Sequence, residues 1–124
     1  MHTMAPPLED PFALAGSVLD GRYEVHHVVA RGGFGVVYKG REIQLDDTVA
    51  IKVLCVPPSL GARERGILLE TFRQEARTTA QLKHPSIVRV TGFGVSRTPD
   101  GQEVPWMAME WIEGSSLAEF LAGY

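Results

Sequence analysis

The 124 residues predict an α+β fold: a five-stranded antiparallel sheet with one main helix, in the order β-β-β-α-β-β, and the start of a second helix. Three observations carry this. Short runs rich in β-branched residues recur, separated by breaks that hold glycine, proline or aspartate. One stretch between them, from about residue 63 to 82, changes to a helical period. The breaks within each group of strands are short, and short turns join antiparallel neighbours, whereas a parallel pair needs a long crossover.

Taken in order, residues 1–18 read as a flexible N-terminal tail, because Pro6, Pro7 and Pro11 interrupt any period. The segment from Ala13 to Leu19 can pack back on the domain, with weak order expected. Tyr23, Val25, His27 and Val29 alternate with their neighbours as a first strand. Gly32, Gly33 and Gly35 break it, and Val36-Val37-Tyr38-Lys39 resumes strand chemistry. Leu45 to Thr48 form a turn before Val49-Ala50-Ile51-Lys52-Val53-Leu54. Pro57-Pro58 ends that ladder. A helix starts near Arg63 or Gly66, with Leu68, Phe72, Ala76, Thr79, Ala80 and Leu82 on one face. His84-Pro85 stops it. Strands over Ile87–Val95 and Val104–Ile112 flank the turn Thr98-Pro99-Asp100-Gly101. Ser115 or Ser116 caps a final helix over Leu117–Leu121.

Composition excludes several classes. Twelve Lys+Arg against fifteen Asp+Glu leave a net charge of −3, which supplies no basic field for nucleic acid. No apolar run approaches the roughly 20 residues of a membrane helix, and the N-terminus lacks the basic and apolar regions of a secretory signal. The lone Cys55 rules out an internal disulfide and suits a reducing, cytoplasmic setting. Four histidines and this cysteine show no metal-ligand spacing.

Four constellations carry chemistry. Ala30-Arg31-Gly32-Gly33-Phe34-Gly35 is a glycine loop between two strands, able to cover phosphates like a flap because no Cβ keeps them away. It runs into strand, not helix, which excludes the dinucleotide-binding arrangement. In Val49-Ala50-Ile51-Lys52, the small Ala50 and the cationic Lys52 share a face, ~7 Å apart. Such a pair accommodates a flat ring and its phosphate chain, although a lysine alone reads as the wet edge of a sheet. Glu75 falls within the apolar stripe of the helix, where a carboxylate needs a cation. Lys52 is the obvious candidate, and local pairing at the stripe edge is the alternative. Met107 to Gly114 is a strand leading into a glycine-ended connector, which alone is an ordinary edge strand.

In this order the four resemble the protein-kinase fold, and closely the bacterial Ser/Thr kinases of eukaryotic (Hanks) type, from about Leu19 to Tyr124. The family's G-x-G-x-x-G-x-V falls on Ala30 to Val37, with Ala30 in place of the first glycine; an alanine is tolerated there if its φ stays negative. V-A-I-K stands intact at Val49–Lys52, the helix glutamate falls on Glu75, and His84-Pro85-Ser86-Ile87-Val88 resembles H-P-N-I-V. The resemblance implies that residues 19–113 are a kinase N-lobe and 114–124 the hinge exit and start of the C-lobe. It makes Lys52 and Glu75 the candidate catalytic residues. It also implies an ATP site made by Val29, Ala30, Arg31, Gly32, Gly33, Phe34, Gly35, Val37, Ala50, Lys52, Met109 as gatekeeper, and the hinge residues Glu110 and Ile112. ATP and, through the C-lobe, a protein substrate are the implied partners. Mg2+ is expected only in the full enzyme, because the H-R-D and D-F-G loops that supply the catalytic and metal aspartates do not occur in these residues. The expectation is therefore a partial, inactive catalytic domain from a longer gene, with a natural one-lobe protein as the alternative. A pseudokinase or regulatory nucleotide- or partner-binding module is the competing function. The intact Lys52 and Glu75 argue against it and Ala30 faintly for it.

Overall fold

The computed structural model describes residues 9–32, 35–57, 59–81 and 89–111, with the helical backbone alone for 75–81. Six strands and one helix follow in order: β1 (Val18–Leu19), β2 (Tyr23–Gly32), β3 (Gly35–Glu42), β4 (Asp47–Leu54), α1 (Ala62–Gln81), β5 (Val90–Arg97) and β6 (Glu103–Glu110). The expected fold class holds, with the two-residue β1 added at the edge of the five predicted strands. Every pairing is antiparallel and the sheet order is β1-β2-β3-β4-β6-β5. The chain leaves β4 through α1 and returns on the far edge as β5. The hairpin then folds β6 inward against β4, which places the connector after β6 beside the central strands.

Element ends move by a few residues for local reasons. β3 continues past Lys39 to Glu42 because β4 starts early, at Asp47, and pairs with it throughout. The reversal between them needs Asp46 at φ 56°, a left-handed position that aspartate tolerates. α1 begins at Ala62, ahead of the expected Arg63 or Gly66, with Glu64 in its first turn where the helix dipole favours an anion. The Thr98–Gly101 turn closes as expected, with Gly101 at φ 89° and its N–H donating to the Thr98 carbonyl at 2.9 Å. Ile87, Val88 and the expected helix over Leu117–Leu121 lie outside the described residues.

The central strands of the sheet are buried on both faces. On one face Leu19, Tyr23, Val25, Val28, Val36, Tyr38, Val49, Ile51, Val53, Val104, Trp106 and Ala108 form a core. On the other, Val37, Ala50, Leu54, Val56, Met107 and Met109 pack with Phe72 of α1. Leu68 joins from one turn earlier on the same helix stripe.

The N-terminal tail needs the largest correction. Residues 10–19, placed in or beside a flexible tail, form a strap over the first core: Phe12 is 7% and Leu14 1% exposed. Gly16 N–H donates to Val25 O at 2.8 Å and Val25 N–H to Ser17 O at 2.9 Å. Asp10 accepts from the Tyr38 hydroxyl and from Ala15 N–H at 2.8 Å. Pattern reading misses this because an irregular segment has no period, yet two apolar side chains suffice to seat it. Burial by itself raises the Asp10 carboxyl, but bonds from Tyr38 and from the Ala15, Leu14 and Phe12 amides outweigh that and hold it below its ordinary value. A carboxyl depressed in the folded state contributes stability above its unfolded value near 3.8, and that contribution disappears as pH falls through the folded value. The urea midpoint of the chain is therefore expected to fall below about pH 4. Asp10→Ala should show a smaller fall over the same range. Identical pH profiles for the two proteins would contradict this.

Candidate nucleotide-binding face

A strand's period of two sends Ala50 and Lys52 out of β4 on one face, and the register decides their neighbours. Ala50 pairs with Lys39 of β3 and Met109 of β6; Lys52 pairs with Val37 and Met107. Val37, Ala50, Met107 and Met109 are buried together, with Val29, Ala30 and Trp111 packed against them. Five of the expected ring-side residues, Val29, Ala30, Val37, Ala50 and Met109, thus converge on one apolar surface. Lys52 leaves the sheet on the same side and is only 6% exposed. A lysine so placed persists only where polar or charged partners offset its desolvation.

Val29 reaches this surface through an irregularity. The β2–β3 register shifts between Val25 and His27 and again between Val28 and Ala30. The alternation read from Tyr23 to Val29 therefore slips: Val28, not His27, joins Tyr23 and Val25 in the first core, while Val29 and Ala30 both pack on the second. An extra residue in one strand lets consecutive side chains do this and bends the strand over the face.

The glycine loop is the tip of the β2–β3 hairpin. Gly32 pairs with Gly35 across it, and Gly33 and Phe34 lie outside the described residues. Ala30 keeps a negative φ, since among the described residues only Ala13, Asp20 and Asp46 are non-glycines with positive φ. Its methyl group is thus accommodated without backbone strain, as the sequence predicted. Gly35 has a further reason to be glycine. A Cβ there would lie 2.5 Å from the Val53 carbonyl oxygen, so close pairing with β4 excludes any side chain whatever the loop binds. Arg31 is exposed and its guanidinium donates to Glu9 at 3.3 Å.

At the connector, Glu110 N–H donates to Arg89 O at 2.8 Å. The Glu110 main chain can therefore offer a ligand only its carbonyl, as an acceptor. Ile112 lies outside the described residues, and so does the Glu75 side chain; the Glu75 backbone stands in α1 three residues after the buried Phe72. The expected Lys52–Glu75 ion pair falls there as well.

Three residues of this face were not singled out as site residues. Met107 and Lys39 follow from the period of two, counted back from Met109 and forward from Val37. Trp111 shows its place only in space, with the Lys39 ammonium 4.9 Å from its ring centroid. That cation–π contact joins β3 to the connector across the mouth of the face. Burial pushes the Cys55 thiol up, and the opposing pull of Arg31 does not cancel this, so the thiol stays protonated at neutral pH.

Among the described residues no three His, Cys, Asp or Glu side chains gather to hold a metal ion. No helix among them is long and apolar enough to cross a membrane.

The protein kinase domain model matches residues 23–123. A probable serine/threonine-protein kinase of Streptomyces coelicolor is 38% identical over 107 residues, 83% of this chain and 15% of that protein. The kinase pkn2 of Myxococcus xanthus is 36% identical over 104 residues, 84% of this chain and 11% of its own length. PknA of Mycobacterium tuberculosis is 36% identical over 106 residues, 86% of this chain and 24% of PknA. Among solved structures, the apo form of PpkA-294 superposes with a TM-score of 0.63 at 29% identity, covering 81% of this chain and 38% of that one. The chain thus spans less than a quarter of the length of these curated relatives. An antiparallel sheet with one helix, a glycine-tipped hairpin and a buried strand lysine, matched by a family model over most of the chain, make this protein a member of the protein kinase family, with the fold of a bacterial eukaryotic-type kinase N-lobe.

Proposed function

We propose that this chain binds ATP as the N-lobe of a protein serine/threonine kinase whose complete form transfers the γ-phosphoryl group to a protein hydroxyl. The observation that carries the reading is the shared surface of Val29, Val37, Ala50 and Met109 beside the buried Lys52, under the glycine-tipped hairpin. Adenine lies against Val29 and Val37 beside Ala50. Its edge bonds the Glu110 carbonyl and the main chain of Ile112. The glycine loop covers the phosphates, and Lys52 pairs with them and with Glu75. These residues bind and orient. Phosphoryl transfer depends largely on such positioning and on charge stabilisation.

A general base must stand within hydrogen-bond reach of the attacking hydroxyl. Asp46 and Asp100 lie in turns, and Asp47 opens β4 beside the first of them. The H-R-D and D-F-G loops that carry the family's catalytic and metal aspartates do not occur in these residues. The 124-residue chain is therefore expected to transfer no phosphate to protein. Its ATP binding should be much weaker than that of a two-lobed kinase, because a one-sided face encloses only part of the ligand. That binding should also change little with magnesium. Titration calorimetry with and without Mg2+, together with a labelled-ATP transfer assay, tests the reading. Transfer abolished by Lys52→Met, or tight binding that requires magnesium, would mean that catalytic or metal ligands reside in these residues after all. No binding of ATP at millimolar concentration would overturn the ATP reading itself.

A further inference from the structure

The strap over residues 9–19 grips the β2–β3 hairpin at two heights. Midway along it, Asp10 accepts a hydrogen bond from Tyr38, which is fully buried on the face opposite Lys52. Tyr38 stands between Val37 and Lys39, and both of these leave β3 toward the nucleotide face. Near the tip, Glu9 accepts from Arg31, one residue before Gly32.

Neither bond is needed merely to cover the core. Phe12 and Leu14 already do that, and apolar contact is indifferent to small sliding movements. A directional bond inside that layer is not indifferent: it sets where the strap stands on β3. Asp10 is itself oriented by Ala15 N–H, so its second oxygen is not free to turn. The Glu9–Arg31 pair is exposed on both sides and contributes little to stability. Its place at the loop shoulder gives it leverage only on the loop.

We propose that Asp10 and Glu9 are positioning residues for nucleotide binding, acting through Tyr38 and Arg31 to set the β2–β3 hairpin and its glycine tip over the phosphates. The proposal rests on the ATP reading for its functional consequence. Its structural half is measurable without nucleotide.

The test uses the 124-residue chain with Asp10→Ala, Tyr38→Phe, the double variant and Glu9→Gln, each measured where circular dichroism reports full folding. Tyr38→Phe keeps the ring and its packing and removes only the hydroxyl, so it remains informative if Asp10→Ala does not fold. Asp10→Ala and Tyr38→Phe are each expected to weaken ATP about three- to tenfold, part of what a hydrogen bond to a carboxylate is worth. The double variant should be no worse than Asp10→Ala alone, because the Tyr38 hydroxyl then has no Asp10 carboxyl left to lose. Glu9→Gln should weaken ATP about twofold at low salt and not at high salt, as an exposed pair does. Without nucleotide, the Gly32 and Gly35 amide resonances should move in Asp10→Ala and Tyr38→Phe. Unchanged ATP affinity in folded variants, with unmoved glycine amides, would make the strap a purely structural cover and overturn the proposal. If the unaltered chain binds no ATP while those amides move, the ATP reading fails and positioning of the loop stands. If the amides do not move, positioning fails whatever the chain binds.

Discussion

Lys52→Met is expected to weaken ATP binding by about 10- to 100-fold while leaving adenosine binding unchanged, the range set by losing a charged hydrogen-bonding partner. Lys52 lies two residues beyond Ala50 on the same face, between Val37 and Met107. On the proposed ATP reading, that spacing separates the place for a ring from the place for a phosphate chain. Adenosine carries no phosphate and should not sense the ammonium. Methionine has similar length and suits the apolar cluster around Met107 and Phe72, so the fold should tolerate it. The measurement is a pair of titrations, ATP and adenosine, on both proteins. Equal losses for the two ligands would show that the substitution deforms the face rather than removing a phosphate partner. No loss for ATP would remove Lys52 from the site.

Trp106→Ala should lower the denaturation midpoint of the chain sharply. Trp106 is 1% exposed in the first core and meets Tyr23 edge-on, with ring centroids 5.4 Å apart. Its indole N–H donates to the Ser96 hydroxyl at 2.8 Å. Gly94 leaves room for the ring: a Cβ there would approach it to 2.9 Å. Removing so large a buried side chain costs about 3–5 kcal/mol, against about 5–15 kcal/mol for a typical small domain. A small lobe buries a smaller share of its surface than a large domain, so a loss of this size takes a large part of its stability. Chemical denaturation of Trp106→Ala and Trp106→Phe measures the effect. Phenylalanine keeps most of the apolar volume and should lose much less. A midpoint for Trp106→Ala within error of the parent would mean that the first core does not depend on this side chain.

The legible part of the site is the part that follows from backbone geometry. Ala50 and Lys52 share a face because a strand has a period of two, and the structure keeps that phase along the whole of β4. Counting on from Met109 and Val37 also finds Met107 and Lys39. The same count fails in β2. Two shifts of register there turn Val29 and Ala30 together onto the nucleotide face, and no local preference announces a bulge. Glycine content pointed to the loop but not to every reason for it: Gly35 is required by the approach of the Val53 carbonyl, a neighbour eighteen positions away.

The amino-acid sequence by itself determined five of the six strands, the main helix, the turns between them and the kinase character of this chain. Each depends on a period, a breaker or a motif that one segment carries alone. Tertiary structure alone decided three other things: that β6 stands between β4 and β5, that Lys39 meets Trp111 across the face, and that residues 10–19 are a strap rather than a tail. All three are contacts between segments distant along the chain. Phe12, Leu14 and Asp10 have no regular structure around them to make their direction readable. Their partners, among them Tyr38, exist as a surface only once β2, β3 and β4 have paired. Which side chains that surface can seat is a property of the assembled sheet, and no single segment encodes it.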